Sequence, residues 1–307
     1  MVNLAQVESL VNDYVSCWAR YRPTYTGTYE DNDFSCEGFQ IFRNGFEIED
    51  FNHDELSQLA ILLTQGLRGQ INRDHKIFWS WCAALPFVFQ AHTGVNLVDD
   101  DWVMSFCNLV NLLLTPVGRG NAVNEHLNTV PMYKWQLAGP HTYSVLEGLL
   151  RRKNKDYVQK DGKIIQTFTI TNPLIPTGVE TLYANTRLNR INKSLRCFEE
   201  CVCNDRGRAC IYLPQIKAEI AILYPSNQDV YDDIDIWRNE LIHGEEYWQN
   251  RVPILTNLLC LLLIDGIEPN IFNTQYDNLR THANWLRTKP RIGFKVLWEL
   301  FPPDFET

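Results

Sequence analysis

The longest unbroken apolar run in this chain extends from Leu258 to Ile264, far short of the ~20 residues that a membrane-spanning helix needs. The chain is therefore expected to bury its apolar residues in a core of its own, without a membrane partner. With 307 residues and 45% hydrophobic content it can do so, as one large domain or two smaller ones. Charged residues make up 21%, which argues against wholesale disorder.

Apolar spacing predicts helices along most of the chain. Leu4, Val7, Leu10, Val11, Tyr14, Val15 and Trp18 share one face of a helix over 4–21. A second helix is expected over 54–70. A third, aromatic-rich one is expected over 75–91, interrupted near Pro86, with Phe78, Trp79, Trp81 and Phe87 as core. Asp99, Asp100 and Asp101 head the run WVMSFCNLVNLLL, as suits a helix start. Gly, Asn and Pro residues over 117–140 mark a soft boundary. Beyond it a short helix, Tyr143–Lys153, leads into DYVQKDGKIIQTFTI, which reads as a hairpin turning at Asp161-Gly162. Further helices are expected at 180–202, 213–224, 231–248, 252–265, 274–287 and 291–300. The fold class is thus mainly α, with a helical region at 1–130 of unassigned role and a helical domain at 131–307 that carries a small β-hairpin insertion.

The net charge is −9 and the pI about 5.3, so a broadly basic nucleic-acid coat is absent. Any RNA must bind at a local basic patch or in a cleft built by two subunits. The N-terminus MVNLAQVESLVNDYV lacks the basic start and apolar core of a signal peptide. The expectation is a cytoplasmic protein whose nine cysteines are reduced thiols.

One stretch combines chemistry with context. IDIWRNELIHGEEYW places Arg238, Asn239 and His243-Gly244 after a helix containing Ile234, Ile236 and Trp237, and before the apolar helix VPILTNLLCLLLI. This resembles the signature of the HEPN superfamily: Arg, a polar neighbour, three more residues, then His, often followed by Gly. The resemblance covers roughly 180–265 and, more loosely, 140–180; residues 1–130 match nothing. The bare Arg-to-His pattern recurs at Arg68–His75 and Arg119–His126, without the polar neighbour or the apolar helix, and both are read as accidental.

The resemblance implies a HEPN-like helical bundle and a metal-independent endoribonuclease, plausible in bacterial defence, with Arg238, Asn239 and His243 as its catalytic residues. It also implies no cofactor, RNA as the partner, a homodimer sharing one cleft, and an antitoxin or regulatory partner as a further option. The residue chemistry agrees. His titrates near neutral pH and can act as acid or base. Arg holds phosphate oxygens with a planar fork, and Asn can donate to phosphate or orient the His. His243 lies five positions after Arg238, about 140° around an ideal helix. One straight helix would not aim both at a single phosphate, which leaves a bent Arg, a helix ending at His243, or a second subunit. The rival readings are a non-catalytic HEPN-like module that binds RNA, a nucleotide or a partner protein, and a purely structural oligomerisation domain.

Glu147 is an auxiliary candidate that could orient Arg238 or His243; the plainer reading pairs it with Arg151 at i+4. Arg151, Arg152, Lys153 and Lys155 form a basic cluster that could track an RNA backbone or simply suit a helix C-terminus. Cys197, Cys201, Cys203 and Cys210 are a weak zinc candidate, their spacing unlike the usual paired Cys-x2-Cys; buried or free thiols are the plainer reading.

Overall fold

The expected first helix forms over its whole predicted length, α1 at Leu4–Tyr21, with Val7, Val11 and Tyr14 buried. The computed structural model describes residues 2–21, 41–42, 44–68, 71, 73–94, 96–114, 130–205, 211–242 and 248–287. These are mainly helical, with one two-stranded sheet among them. The chain forms two compact units, one of Met1–Asn121 with Thr256–Thr307 and one of Ala122–Leu255. The segment after residue 255 thus groups with the N-terminal residues, where the sequence reading kept it with the domain beginning at 131.

In the first unit, α2 (His53–Gly66) starts with a capping box. Asn52 Oδ1 accepts from the backbone N–H of Asp54 and Glu55, and Glu55 Oε2 accepts from Asn52 N–H. Helix α3 (Arg73–Thr93) runs through Pro86 without the expected interruption. Leu85, Val88 and Phe89 are buried around the proline, and that burial offsets the one backbone bond it removes. Phe78, Trp79 and Trp81 lie in the core as expected, whereas Phe87 is exposed. Asp99 Oδ1 accepts from Trp102 N–H at the head of α4 (Asp100–Leu114). Two short helices, α11 (Pro269–Thr274) and α12 (Tyr276–Arg287), follow α10 (Trp248–Asp265). The helix expected at 291–300 lies outside the described residues.

A polar chain runs through this apolar interior. Trp79 Nε1 donates to Asn257 Oδ1 (2.7 Å), Asn257 Nδ2 to Thr64 Oγ1 (3.1 Å), and Thr64 Oγ1 to Ala60 O (2.8 Å). Trp79 Nε1, the Asn257 amide and the Thr64 hydroxyl each thereby find a partner, as burial requires.

In the second unit, α5 spans Val130–Lys153 and begins well before Tyr143, inside the stretch read as a boundary. Pro140 is accommodated within the helix, flanked by buried Ala138 and Thr142. The Asp161-Gly162 turn forms as expected: Gly162 takes φ +86°, and Val158 bridges Ile164 across it. The two-stranded ladder is made further on, where β1 (Phe168–Thr171) pairs antiparallel with β2 (Val179–Leu182). Residues 180–182, expected to be helical, are therefore extended. Gly178 at φ +68° closes the loop, and Leu182 joins a small core with Val158, Ile164, Phe168, Ile170, Leu188 and Cys197. Helix α6 (Ile191–Arg196) continues through a π-helical turn, Cys197–Val202, into α7 (Cys203–Asp205). Then come α8 (Tyr212–Leu223) and α9 (Val230–Ile242).

Candidate functional site

Four aspartates open α9, and the fold employs all of them. Asp229 and Asp232 accept from Arg196 of α6, Asp233 accepts from Ser226 Oγ (2.6 Å), and Asp235 accepts from Ile191 N–H (3.2 Å) at the start of α6. Lys217 of α8 adds contacts to Glu199 and Asp229, each at 3.4 Å, with its ammonium 4.0 Å from the Tyr231 ring centroid. Helix α9, which carries the motif, is thereby fixed at its N-terminal end.

Helix α5 meets α9 in two matching steps. Tyr143 Oη donates to Ile234 O (3.2 Å). Burial pushes the Tyr143 phenol far up, so it remains a neutral donor. Four residues on in each helix, Glu147 Oε1 and Arg238 Nε form an ion pair at 2.7 Å. The other Glu147 oxygen lies 3.8 Å from Arg151 Nη2. The pairing of Glu147 with Arg238 and its i+4 pairing with Arg151 therefore coexist. Glu147 is the one residue that pairs with Arg238 among the described residues.

The remaining motif residues are placed as follows. Asn239 is exposed. Glu240 pairs with Arg251, whose guanidinium also lies 5.3 Å from the Trp237 ring centroid. Described helix α9 ends at Ile242, and His243 and Gly244 lie outside the described residues. The basic cluster does not present one face. Arg151 is exposed and also donates to Lys160 O, Arg152 folds back on Gly148 O (2.8 Å), Lys153 is buried and Lys155 is exposed.

Glu147, Arg151 and Arg238 line a cavity of about 250 Å³ together with Asn154, Gly162, Asn189, Arg190 and Ser194. Asn154, Asn189, Arg190 and Ser194 were not singled out in the sequence. They lie in three separate segments, and neither periodicity nor spacing joins them to Arg238.

The cysteines differ from expectation at one point. Cys17, Cys82, Cys107, Cys197, Cys201 and Cys260 form no disulfide, whereas Cys203 is disulfide-bonded. Cys203 is therefore no thiolate ligand, and Cys210 lies outside the described residues. The Cys197 thiol is pushed well up by its hydrogen bond with Cys201 and by burial. Among the described residues no group of three or more His, Cys, Asp or Glu side chains is placed to hold a metal ion. Of the recurrent Arg-to-His patterns, His75 is fully buried, bonds Leu63 O through Nε2 (2.9 Å), and is held down to about 4 by burial. It is a neutral core histidine. Arg119 and His126 lie outside the described residues. Among the described residues no helix is long and apolar enough to cross a membrane.

Comparison with protein-family models, with curated proteins and with solved structures finds no match.

Proposed function

We propose that the chain is a HEPN-type endoribonuclease that grips RNA phosphate with Arg238 and moves protons with His243, at a site shared by two copies of the chain. One observation carries this reading: Arg238, paired with Glu147, lines a cavity that Arg151 and Arg190 also line, a setting suited to gripping a phosphate. In the proposed reaction His243 takes the proton of a ribose 2′-OH, and the oxygen attacks the adjacent phosphorus. Arg238 stabilises charge on the non-bridging oxygens, with Asn239 as an additional donor. The bond to the 5′-oxygen breaks, and a second copy of His243 supplies the proton to that leaving oxygen. The products are a 2′,3′-cyclic phosphate and a 5′-OH end, with protein groups alone in the reaction. An antitoxin or regulatory partner would fit a bacterial defence role.

The test is RNA degradation by the purified full chain in EDTA, compared with Arg238→Ala and His243→Ala. Wild-type cleavage to cyclic-phosphate ends, lost in both variants while they stay folded, is the expected result. Intact RNA with tight RNA binding supports instead a non-catalytic HEPN-like binding module. That second reading draws on the cavity being assembled wholly from residues 147–238 of one chain.

A further inference from the structure

The cavity beside Arg238 is opposite in charge to the chain as a whole. Its charged lining is Arg151, Arg190 and Arg238 against the single carboxylate Glu147. Three guanidiniums and one carboxylate leave a formal excess of two positive charges, in a chain whose total is −9. Arg190 is exposed, and its guanidinium has neither a hydrogen bond nor an ion pair among the described residues. Glu180, the carboxylate that feels its charge, is already taken by Lys193 (2.5 Å) and Asn172 (2.7 Å). Arginines clustered around one cavity repel each other, and a bound anion relieves that repulsion.

The walls are pinned before any ligand arrives. Asn154 Nδ2 donates to Ser194 O (2.9 Å), and Leu188 N–H donates to Gly162 O (2.8 Å); all four residues line the cavity. A preformed site loses less affinity to ordering. The volume of about 250 Å³ lies just under the ~300–1,000 Å³ of drug-sized pockets. One nucleotide suits that scale, and a base-paired stem does not. Charge refines the choice. A phosphate monoester carries about −1.5 to −2 at neutral pH, which balances the excess of two, whereas a backbone diester carries half as much.

We propose that this cavity binds the phosphate monoester of a nucleotide, gripped by Arg190 and Arg151, with Arg238 shared with the motif. The proposal rests on the ribonuclease reading only through that shared arginine. The ligand is either the phosphorylated end of a single-stranded RNA or a free mononucleotide, since both present the same group.

The test is calorimetric titration of the full chain with 5′-AMP, with adenosine, and with a hexanucleotide RNA bearing either a 5′-phosphate or a 5′-OH. The His243→Ala form is used to prevent cleavage of the RNA. Binding of AMP or of the phosphorylated hexamer, at least about tenfold tighter than the unphosphorylated counterpart, is the expected result. Arg190→Ala should abolish that preference and Arg190→Lys retain part of it. Arg187→Ala, which removes a nearby exposed cation outside the lining, should change affinity by less than about twofold. AMP binding assigns a free nucleotide; binding of the phosphorylated hexamer alone assigns an RNA end. Equal affinity for AMP and adenosine, or a preference untouched by Arg190→Ala, overturns the proposal. Wild-type cleavage of 5′-OH RNA is measured in parallel. Cleavage without phosphate-dependent binding removes this site alone, and such binding without cleavage removes the ribonuclease reading alone.

Discussion

Arg196 spans Asp232 with both terminal nitrogens, Nη1 to Oδ1 at 3.1 Å and Nη2 to Oδ2 at 2.9 Å, while the two side chains are only 3% and 4% exposed. Asn192 Nδ2 fills a further site on Asp232 Oδ1 (2.7 Å), and Asp229 takes the outer side of Arg196 Nη2 (2.9 Å). A bidentate pair this deep is stable only while both partners remain. Arg196→Ala should destabilise the protein by about 3–5 kcal/mol, because it leaves a buried carboxylate without its cation. Urea unfolding monitored by circular dichroism measures this, and a loss below about 1 kcal/mol would mean that the pair is solvated in practice.

Acid should weaken the fold in two stages. His75 is held down to about 4 from an ordinary 6.5 because burial disfavours its cation. The unfolded chain therefore binds a proton between pH 6.5 and 4 that the folded chain refuses. Stability is full above 6.5 and falls as pH drops towards 4, by about 3 kcal/mol at ~1.4 kcal/mol per pH unit. His75→Gln, which can still donate to Leu63 O, should flatten that limb. Below it, burial pushes the Asp232 carboxyl up, but Arg196 and Asn192 pull it further down, to a net position under the ordinary 3.8. Its contribution is present above 3.8 and is lost as pH falls through the depressed value. Urea midpoints from pH 7 to pH 3 test both limbs. An equal loss between pH 6.5 and 4 in wild type and His75→Gln would remove His75 as the cause.

If the chain acts as the proposed ribonuclease, removing Glu147 should slow turnover without weakening RNA binding. The carboxylate offsets positive charge at the cavity and pairs with Arg238 at 2.7 Å. Glu147→Ala should bind single-stranded RNA as tightly as wild type or more so, and cleave it about ten- to a hundredfold more slowly, since a loosened arginine is poorly aligned. Glu147→Gln should recover part of the rate by accepting from Nε. Single-turnover cleavage and fluorescence anisotropy separate the two effects; a parallel fall in both would show that Glu147 acts only on the fold.

Gly162 should not tolerate a side chain. It sits at φ +86°, and an added Cβ would approach Leu188 O to 3.2 Å. Gly162→Ala should cost about 1–2 kcal/mol, visible as a lower thermal midpoint. An unchanged midpoint would show that the 158–164 turn relaxes freely.

Much of the helical framework is legible in the residues. The spacing of Val7, Val11 and Tyr14, the aspartates before Trp102, and the Asp161-Gly162 turn each act through local geometry, and each forms. Proline misleads at two positions. Pro86 and Pro140 sit inside helices because buried neighbours outweigh one lost backbone bond, and no local rule counts those neighbours. The strand at 179–182 is similarly hidden, its pairing set by Phe168 and Ile170 on a partner some ten residues away. The contact of Glu147 with Arg238 was readable as a candidate pairing from charge and helix membership. Arg190 gave no comparable signal: it is one of four cations spaced three residues apart, Arg187, Arg190, Lys193 and Arg196, and only the fold sets it around one cavity with Arg151 and Arg238.

The chain of bonds from Trp79 through Asn257 to Thr64 bears on how the first unit can change over time. Leu, Val and Phe neighbours are interchangeable within limits of volume, but these three positions are keyed to one another. Turning any one of their helices by a single residue, about 100°, would strand an indole N–H or an amide in hydrocarbon at about 1–3 kcal/mol apiece. The lock thus selects one rotational setting of α2, α3 and α10, and substitutions in it should survive only in matched sets.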